Sequence, residues 1–231
     1  MSLSGFIELA QYYPFLLKGV YWTLLISAVA IVGGSVVGMS VALLRVSGSA
    51  TLRGIGVIYV DFFRTTPLLV QLVWFYYAFP VLIGVNLTEL QAGLVGIVLY
   101  SAAYLAEIFR AGILSIEKGQ REAAAALGMA PLKVMTRVVL PQALIRMLPA
   151  IANVFISKVK DSSIVSVIGV TELLRQASIT GEFTGLRMQA LTIAALLYFF
   201  ITFPLTRITD WLHARFSAEG NGRPTAGPAV P

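Results

Sequence analysis

Arg121-Glu122-Ala123-Ala124-Ala125-Ala126-Leu127-Gly128, followed by Met129-Ala130-Pro131 and later by Leu140-Pro141, lies between two apolar stretches long enough to cross a bilayer. Glutamate and alanine favour helix, and alanine lets two backbones approach closely. Gly128 permits a sharp reversal into the segment leading to Leu140-Pro141. With Lys118, Arg121, Lys133 and Arg137 around it, this helical knob has no reason to enter lipid. It reads as a docking element at the membrane surface, and the chain on either side of it as membrane-embedded.

The composition agrees. The chain has 231 residues, 58% hydrophobic and 12% charged, with a mean hydropathy of +0.84, far more apolar than a soluble domain. Seventeen Lys and Arg against eleven Asp and Glu do not form a nucleic-acid-binding stripe. They sit beside apolar spans, as positive-inside orientation requires. The absence of cysteine excludes disulfides and thiolate metal sites, and one histidine, His213, cannot build a histidine cluster. No metal site, catalytic residue or activated nucleophile is readable, and no GxxxxGK loop is present to cradle ATP.

A spanning helix needs about 20 mainly apolar residues, and five segments qualify: roughly 19–44, 55–82, 90–114, 141–160 and 187–209. The expected fold is therefore all-α, a polytopic bundle of about five transmembrane helices with a cytoplasmic docking helix. It forms a single membrane domain over 1–216, with the docking segment at 117–141 and a disordered Gly- and Pro-rich tail over 217–231. Residues 3–17 suit a helix lying in the interface or packing on its neighbours. The N-terminus lacks a basic region before its first long apolar run and is expected to stay uncleaved. One side collects Arg45, Arg53, Arg110, Lys118, Arg121, Lys133, Arg137, Arg207, Arg215 and Arg223, which places the N-terminus outside and the C-terminus in the cytoplasm.

Intramembrane charges are costly and mark function or pairing. The second span carries Asp61, Arg64 and Pro67. In the fourth, Gln142, Arg146, Pro149, Asn153, Ser157 and Lys160 share a stripe that should line a water-accessible path. Asp161-Ser162-Ser163 is expected to interrupt that helix and to cap a short new one running toward Gly169. In the third span Tyr100, Tyr104 and Glu107 share a face. Asp161, helped by Glu107, is the expected partner of an ammonium or cationic side chain. Arg64 and amides near Ser162 or Thr65, with Ser163 beside them, are the expected partners of a carboxylate. Arg64 has a second reading, neutralising Asp61 or Glu107 inside the bundle.

The chain resembles the permease subunits of ATP-binding-cassette importers with the type I importer fold, specifically the polar amino-acid permeases, over nearly its whole length. Their cytoplasmic loop reads Glu-Ala-Ala, three residues, Gly, nine residues, Ile, one residue, Leu-Pro. Here Glu122, Ala123, Ala124, Gly128, Val138, Leu140 and Pro141 stand at those spacings, with Leu127 just before the glycine. The narrower likeness rests on Phe63-Arg64-Thr65-Thr66-Pro67-Leu68-Leu69-Val70-Gln71, on Tyr104-Leu105-Ala106-Glu107-Ile108-Phe109-Arg110, and on Lys160 through Gly169. Thr65 departs from the family's usual glycine, and Glu117 from a frequent proline.

The resemblance implies a bacterial inner-membrane, multi-pass transport subunit that forms half of a pathway working by alternating access. It implies a cytoplasmic ATPase that binds ATP and Mg and grips Glu122, Ala123, Ala124, Leu127 and Gly128. A second permease, identical or homologous, would pair with this chain, and an extracytoplasmic solute-binding protein would deliver an amino acid. It also implies that Asp161 and Glu107 line the substrate site. Two acids near the pathway tilt the expectation toward cationic or polar substrates. A gradient-driven transporter or channel using Glu107 and Asp161 as an ion relay is the alternative, and it leaves the docking segment unexplained.

Overall fold

The computed structural model describes residues 3–218, and every regular element among them is helical. Helix α1 (Leu3–Leu9) runs through one tight turn into α2 (Tyr13–Arg45). After a short turn, α3 (Ala50–Thr65) and α4 (Leu68–Val73) follow, and a π-helical turn carries α4 into α5 (Phe79–Ile83). Then come α6 (Glu89–Leu114), α7 (Lys118–Ala126) and α8 (Pro131–Val134), the last continuing through a π-helical turn into α9 (Leu140–Asp161). A 3-10 stretch (Ser162–Ile168), α10 (Leu173–Thr184) and α11 (Arg187–Ala218) complete the chain.

Four helical stretches are long and apolar enough to cross a membrane: Ser4–Arg45, Glu89–Leu114, Pro131–Ile168 and Arg187–Phe216. A fifth crossing is available if α3 and α4–α5, bent by 102° at their junction, count as one broken span. The second span is thus not the straight helix its hydropathy suggests. Pro67 cannot continue α3, and it forces Thr66 into an extended conformation (φ −87°, ψ 132°). Such a break frees backbone carbonyls that lipid cannot satisfy. The buried Gln71 side chain meets them, its Nε2 donating to Phe63 O and Thr66 O, 2.9 Å each.

The fourth span shows the reverse correction. Asp161-Ser162-Ser163 does not interrupt it; α9 tightens there into the 3-10 stretch without a break, and the chain turns only at Gly169 (φ +101°). The hydroxyls of Ser162 and Ser163 donate back to Val159 O (2.8 Å) and Lys160 O (2.7 Å), so they support this tightening instead of capping a new helix. The 3–17 segment joins α2 instead of standing apart, and α1 packs on α11. The expected tail falls outside the described residues except for Ser217 and Ala218, which belong to α11.

The most extensive helix pair is α2 against α6. Gly34 and Gly38, four apart on α2, make the approach possible. A Cβ on Gly38 would lie 2.8 Å from Ala102 O and 3.1 Å from Ala106 N, and one on Gly34 would lie 2.9 Å from the Ser101 Cβ. Thr88 starts α6 with a capping box: its Oγ1 accepts from Gln91 N (3.3 Å), and Gln91 Oε1 accepts from Thr88 N (3.0 Å). Toward the docking segment, Leu105, Phe109 and Ile113 of α6 pack with Val139, Ala143 and Met147 in one buried cluster. The docking segment is therefore mounted on the same helices that carry the intramembrane acids.

Candidate functional site

Two polar centres meet along α6. The first is a cavity of about 250 Å³ lined by Tyr100, Tyr104, Val154, Ser157, Lys158 and Asp161. Helical spacing puts Tyr100 and Tyr104 on one face of α6, where their hydroxyls lie 3.1 Å apart. From α9, Lys158 and Asp161 pair across one turn at 2.6 Å (Nζ to Oδ2). Lys158 is 3% exposed, and its ammonium lies 4.3 Å from the Tyr100 ring centroid and 5.3 Å from that of Tyr104.

The second centre is Glu107. Its Oε2 is 2.8 Å from Arg45 Nη1 and 2.8 Å from Arg110 Nε, and its Oε1 is 3.7 Å from Arg64 Nη1. Arg45 comes from the end of α2, Arg64 from the last turn of α3, and Arg110 from α6 itself, so this carboxylate ties three helices together. Arg64 keeps a 42% exposed side chain and sits 5.3 Å from the Tyr104 ring. Tyr104 is thereby flanked by Arg64 and Lys158 and joins the two centres.

Asp161 lines the cavity, whereas Glu107 and Arg64 approach it only through Tyr104. Thr65 is exposed and spends its hydroxyl on Asp61 O (2.7 Å). Ser162 is fully buried, and neither it nor Ser163 lines the cavity. Of the proposed pathway stripe, Arg146, Asn153, Ser157 and Lys160 are exposed, but Pro149 is buried. Sequence reasoning missed Lys158 and Arg45 as site neighbours: Arg45 was read as an orientation charge, and Lys158 lies off the stripe expected to line the path. It also missed Glu172, which is fully buried. That carboxylate accepts from Leu174 N (3.0 Å) and Arg175 N (2.9 Å), capping α10, and from Thr23 Oγ1 (3.4 Å) and the Tyr198 hydroxyl. A glutamate just before an apolar helical run was the available signal for the cap. Among the described residues no group of three His, Cys, Asp or Glu side chains is placed to hold a metal ion.

The docking segment forms the compact knob its sequence suggests. Just past the end of α7, Gly128 turns the chain at φ +76°. Gly128 N donates to Ala125 O (2.9 Å) and Met129 N to Ala124 O (3.2 Å), the paired closure that favours glycine at this position. Only Ala124 of α7 is buried. Glu122 is exposed and makes no hydrogen bond or ion pair among the described residues, while Leu127 and Leu132 stand 84% and 75% exposed. Underneath, Arg121 Nη2 donates to Ile113 O, and Arg146 Nη1 donates to Ser115 O (2.7 Å). The end of α6 is thus stapled to the knob and to α9.

Comparison with known proteins places this arrangement. Residues 34–218 match the family described as binding-protein-dependent transport system inner membrane component. The chain is 43% identical over 191 residues to the probable amino-acid ABC transporter permease protein YckA of Bacillus subtilis (strain 168), covering 82% of this chain and 83% of that one. It is 40% identical over 195 residues to the arginine transport system permease protein ArtQ of the same organism, covering 84% and 89%. Its fold matches a chain in the crystal structure of an amino acid ABC transporter with histidines, with a TM-score of 0.83 and 35% identity over 93% of this chain and all of that one. It also matches a chain of the methionine ABC transporter MetNI in inward-facing form, with a TM-score of 0.68 and 27% identity over 86% and 96%.

Proposed function

The chain belongs to the family of binding-protein-dependent transport system inner membrane components, and on that premise we propose that it is the permease subunit of an ATP-driven amino-acid importer. One membrane domain over residues 1–216 forms half of the translocation pathway, and a second permease supplies the other half. The observation that carries this reading is the exposed knob. An unpartnered Glu122 and two exposed leucines, Leu127 before the turn at Gly128 and Leu132 after it, offer an apolar tip with a charged flank to another protein. The proposed partner is a cytoplasmic ATPase that binds ATP and Mg, with Glu122, Ala123, Ala124, Leu127 and Gly128 in its groove. An extracytoplasmic binding protein delivers the solute. Five crossings, counting the bent pair as one, are compatible with termini on opposite sides of the membrane, and the basic loop residues support an N-terminus outside with the docking loop and the C-terminus in the cytoplasm.

In this proposal the solute sits in the Tyr100–Asp161 cavity. Asp161 faces the ammonium of the amino acid, with Glu107 shaping the charge behind Tyr104, and Arg64 takes a carboxylate. Thr65, Ser162 and Ser163 border the site through the backbone they stabilise. Alternating access requires that the ATPase-bound and free states differ in their contacts with the knob. The stapling of Arg121 and Arg146 to the end of α6 passes a displacement of α7 to the helix that carries Tyr100, Tyr104 and Glu107.

Two variants test it in the reconstituted complex. Glu122→Arg reverses the charge of the knob, and Gly128→Val places a β-branched residue where the left-handed conformation costs about 1–2 kcal/mol. Both should lose substrate-stimulated ATP hydrolysis while the chain still inserts in the membrane. Normal stimulation in both removes the docking role.

A further inference from the structure

We propose that the cavity selects an amino acid whose own side chain is anionic, because the chain already supplies the cation for its one acidic and aromatic box. The inference rests on the amino-acid permease reading and deepens it. An ammonium held by a carboxylate and by the faces of two aromatic rings is the arrangement that recognises cationic ligand groups. Here that ammonium is Lys158, 2.6 Å from Asp161 and 4.3 Å from the Tyr100 centroid, with 3% of the residue exposed. A lysine or arginine substrate finds the place of its side chain taken.

The other acid is also committed, since Glu107 is held by Arg45 and Arg110 at 2.8 Å each and approached by Arg64 at 3.7 Å. At these two centres the ion-paired groups are four cations, Arg45, Arg64, Arg110 and Lys158, against two anions, Glu107 and Asp161, which leaves 4 − 2 = +2. Nearby, Asp61 is exposed and makes no ion pair among the described residues, and the exposed Lys160 adds a further positive charge. A surplus of positive charge around one pocket attracts an anion and raises its local concentration. A cationic side chain entering the cavity would add another positive charge beside Lys158, and like-charge crowding of that kind is how binding sites reject a wrong ligand.

An acidic amino acid matches the inventory group for group. Asp161 uses only Oδ2 on Lys158 and leaves Oδ1 without a bond among the described residues, available to the substrate ammonium. Lys158 and Arg64 each lie 5.3 Å from the Tyr104 ring centroid, and each takes one substrate carboxylate by a charge-assisted hydrogen bond. The relatives show that overall identity does not fix the side chain carried: one 40% identical is an arginine transport system permease protein, and another, 37% identical, a probable glutamine ABC transporter permease protein.

The test uses the purified permease–ATPase complex without any binding protein, so that the selectivity read is the permease's own. Binding of radiolabelled glutamate, glutamine and arginine is measured for the wild type and for Lys158→Met. Wild type should bind glutamate at least about tenfold tighter than arginine, and Lys158→Met should bring that ratio down by about tenfold or more, since like-charge crowding is removed and a carboxylate partner lost. Preferential binding of arginine by the wild type overturns the proposal, whether or not the variant assembles, and so does an unchanged ratio in an assembled variant. ATP-dependent uptake that favours cationic amino acids strikes this inference alone. Failure to bind or take up any amino acid strikes the permease reading on which it stands.

Discussion

Replacing Gln71 by Leu probes how a broken helix survives inside a bilayer. Its side-chain nitrogen donates to Phe63 O and Thr66 O, both at 2.9 Å, at the point where Pro67 ends α3. Leucine keeps much of the volume and removes both donors, leaving two carbonyls at the break without that partner. Each buried polar group left unpaired costs about 1–3 kcal/mol. One gain offsets this, because Gln71 Oε1 is itself buried without a partner and disappears with the amide. The net expectation is a loss of about 2 kcal/mol, which for a chain of this size corresponds to a fall in Tm of about 4–8 °C. Thermal unfolding of the detergent-solubilised chain, followed by circular dichroism, reads it. Val70→Ala, a neighbour 55% exposed, serves as the control. A Gln71→Leu variant melting within a degree of wild type would refute the view that this amide holds the bend.

Two further changes address the helix pairs around the site. Gly38→Val puts a Cβ 2.8 Å from a backbone oxygen and 3.1 Å from a backbone nitrogen of α6, so overpacking of about 1–3 kcal/mol or more is expected, seen as a lower denaturation midpoint in a detergent titration. Glu107→Gln removes the charge that Arg45, Arg64 and Arg110 share. Because Glu107 is 26% exposed, the loss should fall near the lower end of the range for breaking a buried pair, about 3 kcal/mol, and adding Arg45→Met should recover part of it in the same titration.

Much of the architecture is readable from residues alone, since runs of about 20 apolar residues and the polar punctuation between them locate the spans. The helical knob at α7 is readable because its glycine and its alanines act within a few residues of one another. The sharp bend in the second span is harder. A proline inside an apolar run announces a disturbance, but whether the helix kinks or breaks depends on a donor arriving from the next turn, and that donor is the side chain of Gln71. The site's charge balance is harder still. Arg45 looks like an orientation signal at the end of a span, and its service to Glu107 exists only because Gly34 and Gly38 let α2 lie against α6. Lys158 becomes a neighbour of Tyr100 only once α9 packs on α6. Glu172 draws a hydrogen bond from Thr23, 149 residues away in sequence, a distance over which no local pattern speaks.

The glycine-lined contact between α2 and α6 has a mechanical corollary. Backbones that touch without intervening side chains have little room to slide, and the Arg45–Glu107 link pins the same pair a second time near its end. The two helices therefore behave as a single strut. In the proposed permease, gating would come from tilting that strut as a whole against neighbouring parts, with flexure at joints such as the elbow at Pro67.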